Sequence, residues 1–464
     1  MRPMIKSGLI ERNTGSFRDP SGFLYIRNGV LYRQVNTVYK ENYDQLMNSG
    51  LYEALVDADL LISHEETGLD YAASNDVYKV IKPEKIPFIS YPYEWCFSQL
   101  KDAALTTLAI QKHALKYRMT LKDASAYNIQ FKNGKPVFID TLSFEPYIEG
   151  RPWVAYRQFC QHFLCPLALI CYKDVRLSQL LRIFIDGIPV DLTSRLLPPR
   201  TSLVPSLLLQ IHLQSKSQRY YLHKKPKIRK ARMSSFALRA LIDSLESGVR
   251  KLKWSPKYKV WADYYNDIHY TKEAFKAKKR LVADFLDRIN PKVVWDLGGN
   301  VGLFSRIASD RGIFTVSFDN DMTVIEANYL ECQKRGDKNL LPLLVDLTNP
   351  SPAIGWANQE RASLIQRGQS DTIMALALIH HLAIANNAPF SQLAKFFKGL
   401  CKNLIIEFVP KKDPKVQQLL STRDDIFEKY NKEAFEKEFS KNFKIISSSL
   451  IQDSDRVLYL MVQH

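Results

Sequence analysis

A chain of 464 residues, 46% hydrophobic and 24% charged, has ample material for packed cores in roughly two to four domains. The longest apolar candidate, 159–172, is broken by Gln161 and His162, which excludes a bilayer span; residues 1–16 lack the apolar region and cleavage site of a signal peptide, so the cytoplasm is the expected compartment. The formal charge is +17, and fifteen Lys or Arg against only Asp243 and Glu246 fall within 200–261, leaving the remainder close to neutral.

The first expected domain covers 1–200. It opens with GFLYIRNGVLYRQV, two β-rich runs joined by Asn28-Gly29, which predicts a hairpin. Leucines and alanines at three- and four-residue spacing predict a helix over 98–119. A compact loop and second hairpin follow in LKDASAYNIQFKNGKPVFIDTLSFEP. Cys160, Cys165 and Cys171 lie among apolar neighbours without C-x-x-C spacing, so buried thiols are expected rather than a metal site. The prolines of LLPPRTS mark a break.

Residues 201–260 form a basic linker or helical segment, densest in KSQRYYLHKKPKIRKARM. The stretch 216–232 suits nucleic acid, anionic lipid or an acidic glycan, or is a solvated linker. From 261 to 464, strand and helix patterns alternate, which predicts a parallel sheet. The strand candidates are 292–297, 314–318, 341–345, 372–379, 403–409, 444–449 and 456–462, the last two close enough for an antiparallel edge hairpin.

The first of these strands runs into a glycine turn, VVWDLGGNVGLFS. A dinucleotide fingerprint G-x-G-x-x-G fits in neither register, and no Gly-Lys-Ser/Thr follows for a nucleotide-triphosphate loop. The pattern that fits is D-x-G-x-x-x-G, at Asp296, Gly298 and Gly302. It resembles motif I of class I S-adenosylmethionine-dependent methyltransferases, with Asn300 in place of the middle glycine. Asn tolerates positive φ better than most residues, so the turn is expected to survive the exchange. The alternative is a strand-to-helix turn that binds nothing.

The resemblance covers about 261–464. It implies a Rossmann-like seven-stranded sheet in an α/β fold, with S-adenosylmethionine as the cofactor. Asp296, Gly298, Gly299, Asn300 and Gly302 would hold it. Asp319, which closes the second strand 23 residues after Asp296, would bind the ribose, with Asp321 as substitute. Asp346, at the end of the third strand, would meet the adenine edge. The stretches VDLTNPSPAIGWANQER, MALALIHHLAI and IIEFVPKKDPKVQQLLSTRDDIFEKY resemble more narrowly a bacterial group of nodulation NoeA-like proteins, methyltransferase-like in kind.

Methyl transfer from a sulfonium needs in-line geometry and a route for the acceptor's proton. His380 and His381 follow the fourth strand, where open α/β sheets bind ligands, and are candidate bases or packing and capping residues. Glu407 ends the fifth strand and is a second candidate. Tyr264, Tyr265 and Tyr270 are candidates for a substrate cleft or for packing. No metal is expected. An NPPY-type tetrapeptide and a Pro-Cys pair are both lacking, which leaves an oxygen acceptor on a small molecule, saccharide or lipid as the expectation by elimination; the first domain and the basic segment would suit an anionic one. A nucleic-acid methyltransferase using 216–232 and a noncatalytic scaffold are the rivals.

The segment LKDASAYNIQFKNGKPVFIDTLSF resembles the catalytic loop of kinase-like phosphotransferases, with Asp123, Asn128 and Asp140 at the base, amide and metal-binding positions. The resemblance implies an α+β kinase-like domain preceding the sheet. Gly15 and Gly22 would be remnants of a nucleotide-covering loop. Lys122 replaces the usual His or Arg, Thr141-Leu142 replaces the end of the metal-binding triplet, and Arg33 stands near the place of the strand lysine. The domain is expected to be degenerate, serving as a scaffold or acceptor holder; active phosphotransfer and a chance match of the motif are the alternatives.

Overall fold

The computed structural model describes residues 10–217, 232–255 and 271–464. The core of the basic stretch and Tyr264, Tyr265 and Tyr270 lie outside the described residues. The chain divides into two compact units: Met1–Ser255 with Ile354–Arg361, and Pro256–Ala353 with Ala362–His464. Among the described residues, no helix is long and apolar enough to cross a membrane.

The first unit is α+β. Strands β1 (Ile10–Arg12), β2 (Gly22–Arg27), β3 (Val30–Asn36), β4 (His64–Thr67) and β5 (Val77–Pro83) form one antiparallel sheet in the order β1-β2-β3-β5-β4. Asn28 and Gly29 both take positive φ, 53° and 76°, the mirror-image turn whose twist suits a two-residue hairpin, so Arg27 pairs with Val30. Asn133 and Gly134 repeat the device between β7 (Ile129–Lys132) and β8 (Lys135–Phe138). The helix predicted over 98–119 runs Phe97–Lys116 and buries Leu100, Ala103, Ala104, Leu108 and Ala114. It stops because Arg118 turns to φ 57° and Met119 begins β6 (Met119–Leu121), which pairs with β9 (Phe144–Pro146).

The segment expected as a linker contributes, where described, to this unit. Helix Ser235–Lys251 lies against Phe97–Lys116, with Lys112 bonded to Asp243 at 2.5 Å and Lys101 to the Arg250 and Leu252 carbonyls. All six cysteines are free thiols; Cys160 and Cys165 are buried and Cys171 partly so.

The second unit is the Rossmann-like α/β sheet. Helix Lys272–Ile289 starts where the Thr271 side chain accepts from the Ala274 amide and ends at Asn290 in the left-handed region. Seven strands follow: β10 (Val293–Leu297), β11 (Phe314–Asp319), β12 (Leu340–Leu344), β13 (Ser370–Ala375), β14 (Cys401–Phe408), β15 (Phe443–Leu450) and β16 (Val457–Gln463). Their order is β12-β11-β10-β13-β14-β16-β15. The first five are parallel, and β16 runs antiparallel to both neighbours. On one face, Val294, Met374, Ile405, Leu458 and Leu460 pack under Val282, Phe285 and Leu286 of the first helix. Each such side chain contributes roughly 1.5–3 kcal/mol when fully buried.

Strand order reverses at β10, flanked by β11 and β13, so the crevice beyond its carboxyl end is the natural ligand position. The fourth strand is shorter than its apolar run suggested. It ends at Ala375, Ala377 turns to φ 49°, and His381–Ala385 forms a π turn. His380 and His381 therefore sit at the head of a short helical turn instead of at a strand tip.

Candidate active site

The glycine turn is built by its own residue types. Gly298 and Gly299 both donate to the Phe318 carbonyl at 2.9 Å, tying the turn to β11. Asn300 takes φ 50°, the left-handed conformation that its residue type tolerates. A Cβ on Gly299 would stand 2.3 Å from Ser317 Oγ and 3.0 Å from Asp296 Oδ2, so only glycine fits there. Gly302 takes φ 78° and heads helix Leu303–Ser309. Arg306, buried on that helix, donates to the Val301 carbonyl at 2.7 Å and pairs with Asp337 at 3.1 Å, fixing the far side of the turn.

The two carboxylates of the motif have different surroundings. Asp296 is fully buried and accepts from Ser305 Oγ at 2.6 Å; Ser305 also meets Ser317 at 3.0 Å. Burial pushes the Asp296 carboxyl up to about 6, against the opposing pull of Ser305 and Lys278. Asp319 ends β11 and accepts from the Asn300 and Asp321 amides, both at 3.0 Å. Burial raises its carboxyl, and these amides pull the other way. Asp321 is engaged as a cap, accepting from Thr323 N. Asp346 is exposed and accepts from Thr348 N and Oγ1 at 2.8 and 2.7 Å, while the Val345 amide bonds the Asp319 carbonyl at 2.8 Å.

A cavity of about 710 Å³ opens beside the turn. It brings together Asp296, Gly298, Gly299, Asn300, His380 and His381. Asp319 reaches it only through the Asn300 amide, and Gly302, Asp346 and Glu407 do not line it. His380 is 2% exposed, its Nδ1 without a hydrogen-bond partner among the described residues. Burial first, then His381 and Arg456, push its imidazole down to about 3, so it is neutral near pH 7. Its ring lies 4.2 Å from that of His381, which stands at the rim.

Sequence reasoning missed the cations. Lys278, Lys415 and Arg456 line the cavity. Glu407 is fully buried behind them, with Lys278 Nζ at 2.6 Å, Arg456 Nη1 at 3.2 Å and the Ala377 amide at 2.8 Å. Its oxygens are thus engaged, and it faces no open space. Arg456 also pairs with Asp413 at 2.7 Å. A signal for Lys278 did exist: Ala274, Lys278, Val282 and Phe285 recur on one stripe of their helix, and all four are buried.

In the first unit, Asp123, Asn128 and Asp140 converge and close on their own neighbours. Asp140 pairs with Arg33 at 2.6 Å and accepts from Ser143 Oγ and Leu142 N. Asn128 reaches Ser143 at 3.3 Å, and Asp123 accepts from Ser125 N at 2.8 Å. Burial and the charge of Asp140 raise the Asp123 carboxyl. Lys122 bonds Ser21 at 2.8 Å and Asp19 at 3.3 Å. A Cβ on Gly15 would stand 2.4 Å from the Glu360 carbonyl, so its loop lies against Ile354–Arg361 within this unit.

No family model matches the sequence. Among solved structures, magnesium protoporphyrin IX methyltransferase from Synechocystis PCC 6803 aligns with 44% of this chain and 93% of its own, at 16% identity and a TM-score of 0.32. The bifunctional kinase-methyltransferase WbdD aligns with 44% of this chain and 42% of its own, at 16% identity and a TM-score of 0.31. The nodulation protein NoeA of Rhizobium meliloti (strain 1021) is 35% identical over 457 residues, 97% of this chain and 95% of that protein. At that identity over nearly the whole of both chains, this protein belongs to the NoeA family.

Proposed function

We propose that the second unit transfers a methyl group from S-adenosylmethionine to a hydroxyl of a small molecule or saccharide. The observation that carries this reading is the cavity that sets the glycine turn and a buried, neutral His380 on one wall system. Its volume, about 710 Å³, lies within the range of small-molecule pockets and suits a cofactor with a modest acceptor beside it. Gly298, Gly299 and Asn300 would hold the cofactor with Asp319, and apolar Phe275, Phe304 and Leu376 exclude water.

When bound, S-adenosylmethionine supplies a methyl carbon whose bond to sulfur breaks with both electrons left on sulfur. The acceptor oxygen forms the new carbon–oxygen bond, and its proton passes to the neutral imidazole of His380. Glu407, engaged by two cations and an amide, acts as an anchor for Lys278 and Arg456. Calorimetric titration with S-adenosylhomocysteine tests the reading: the wild type is expected to bind at micromolar concentration and Asp319→Ala to lose most of that affinity. No heat from folded wild-type protein would remove it.

We read the first unit as kinase-like and noncatalytic. What supports the noncatalytic part is the Arg33–Asp140 pair at 2.6 Å, an ion pair on the carboxylate that the resemblance would assign to a metal. Titration with ATP and magnesium is expected to give no saturable heat; micromolar binding would overturn this part.

A further inference from the structure

The cavity is divided by charge. At the glycine turn stands Asp296, with Asp319 on the Asn300 amide next to it. Toward the end of β13 and the start of β16 the charged residues that line it are Lys415 and Arg456, while Lys278, paired with Glu407, acts on Asp296 as well. The carboxylates that balance Lys278 and Arg456 do not line it: Glu407 takes both from behind, and Asp413 takes Arg456 at 2.7 Å while capping the helix that carries Lys415 through its backbone amide at 2.9 Å. Glu407 and Asp413 thus hold Lys278 and Arg456 in place at the wall, and Lys415 lines the same cavity from the helix that Asp413 caps. Such an arrangement is costly to maintain in the interior and is matched by a ligand of the opposite charge pattern. A sulfonium suits the acidic end and is repelled by the basic one.

We infer that the acceptor is an acidic small molecule, a hydroxyl compound whose carboxylate or phosphate group is held by Lys415 and Arg456 beside His380. This rests on the methyl-transfer reading and adds the acceptor's charge to it. Uncharged hosts of a hydroxyl would leave the basic wall facing apolar or neutral surface. The imidazole gives a second reason. His380 is held neutral first by burial, then by His381, Arg456 and Lys278, against the opposing pull of Glu407. An acidic group arriving next to the two cations offsets their field, so the acceptor that binds there also makes His380 a better proton acceptor.

The test uses the full chain saturated with S-adenosylhomocysteine, titrated with inorganic phosphate, acetate and glycerol as probes. Wild type is expected to bind at least one anion saturably and to ignore glycerol; the tighter anion tells a phosphate ester from a carboxylate. Lys415→Gln, on a partly exposed residue, is expected to weaken that anion at least fivefold with S-adenosylhomocysteine affinity unchanged, which also shows that the variant is folded. Absence of saturable anion binding, equal anion affinity in Lys415→Gln, or glycerol binding as tight as the anions would overturn the inference. Failure of S-adenosylhomocysteine itself to bind is seen in the first titration, defeats the methyl-transfer reading, and takes this inference with it.

Discussion

Lys278 and Glu407 form an ion pair with Nζ and Oε2 2.6 Å apart, both side chains at most 3% exposed. The same carboxylate takes Arg456 and the Ala377 amide, so one residue of β14 ties the first helix, the loop after β13 and the start of β16. Breaking a buried pair from one side costs about 3–5 kcal/mol, since the partner stays buried and uncompensated. Glu407→Leu strands Lys278 and the Ala377 amide and leaves Arg456 with Asp413 alone; Lys278→Met leaves Glu407 with Arg456 and the amide. Glu407→Leu is therefore expected to lower the unfolding midpoint more. The double variant should lose less than the two single losses added together. A calorimetric double-mutant cycle measures this, and strict additivity would mean that the pair is uncoupled.

Asn300 holds the turn in a conformation that most side chains resist, with φ 50°. Asn300→Gly is expected to leave stability and cofactor affinity nearly unchanged. Asn300→Val, β-branched at the same φ, is expected to cost about 1–2 kcal/mol or to shift the turn. It should also weaken S-adenosylhomocysteine binding, because the Asn300 amide carries the bond to Asp319. Denaturant midpoints and calorimetry on the two variants separate the backbone effect from loss of the side chain.

Residues differed in how far the sequence betrayed them. The glycine turn was legible because each position has a local reason: glycine where a Cβ collides, Asn where φ is positive. The sheet was legible because β-rich runs alternate with helical ones. The end of β13 was not, since ALALI reads as one apolar run and only the positive φ of Ala377 breaks it. Arg456 and Asp413 lie 43 residues apart, and no local pattern joins them. Lys278 stands among Lys276, Lys279 and Arg280, where only the buried stripe of its helix sets it apart. The place of Ile354–Arg361 in the first unit is likewise a purely tertiary fact.

Two buried groups at the cavity set opposite pH trends. The Asp296 carboxyl is pushed up to about 6, so between pH about 4 and 6 the native state keeps a proton that the unfolded chain has lost. Raising pH through that window removes stability. His380 is pushed down to about 3, so between pH about 3 and 6.5 the unfolded chain holds a proton that the native state lacks. Raising pH there adds stability. The two oppose each other between pH about 4 and 6. Asp296→Asn is expected to gain stability more steeply with pH across this range than wild type, and His380→Gln less steeply. Urea midpoints across the window read the slopes, and identical slopes in all three proteins would contradict this account.

Glu360 anchors its segment within the first unit. Its carboxylate takes Arg18 at 2.6 and 2.9 Å and the Trp356 amide at 3.1 Å, while Arg361 stacks 4.2 Å over the Tyr127 ring. Ala357 and Asn358 both hold positive φ nearby, a conformation kept only while the surroundings impose it. Arg18→Ala is expected to speed proteolytic cutting within 354–361 severalfold, with cutting elsewhere unchanged. Timed digestion with mass mapping of the fragments checks it, and unchanged cutting in this segment would show that Arg18 is not its anchor.

His380 and Asp319 should fail in different ways. Asp319 is bonded to the turn that would hold the cofactor, so Asp319→Ala is expected to act on affinity. His380 lines the cavity with a neutral imidazole, and its Nδ1 has no hydrogen-bond partner among the described residues. Loss of a general base typically costs roughly 10²–10⁴ in rate. His380→Gln is therefore expected to lower kcat in that range with S-adenosylhomocysteine affinity within about twofold of wild type. His381, at the rim, shares the residue type but not the burial, and His381→Gln should cost less than about tenfold. Single-turnover methyl transfer and calorimetry on the same preparations separate the two quantities. If His380→Gln weakened the cofactor and left single-turnover rates intact, the imidazole would be part of the cofactor wall and the proton would leave by another route.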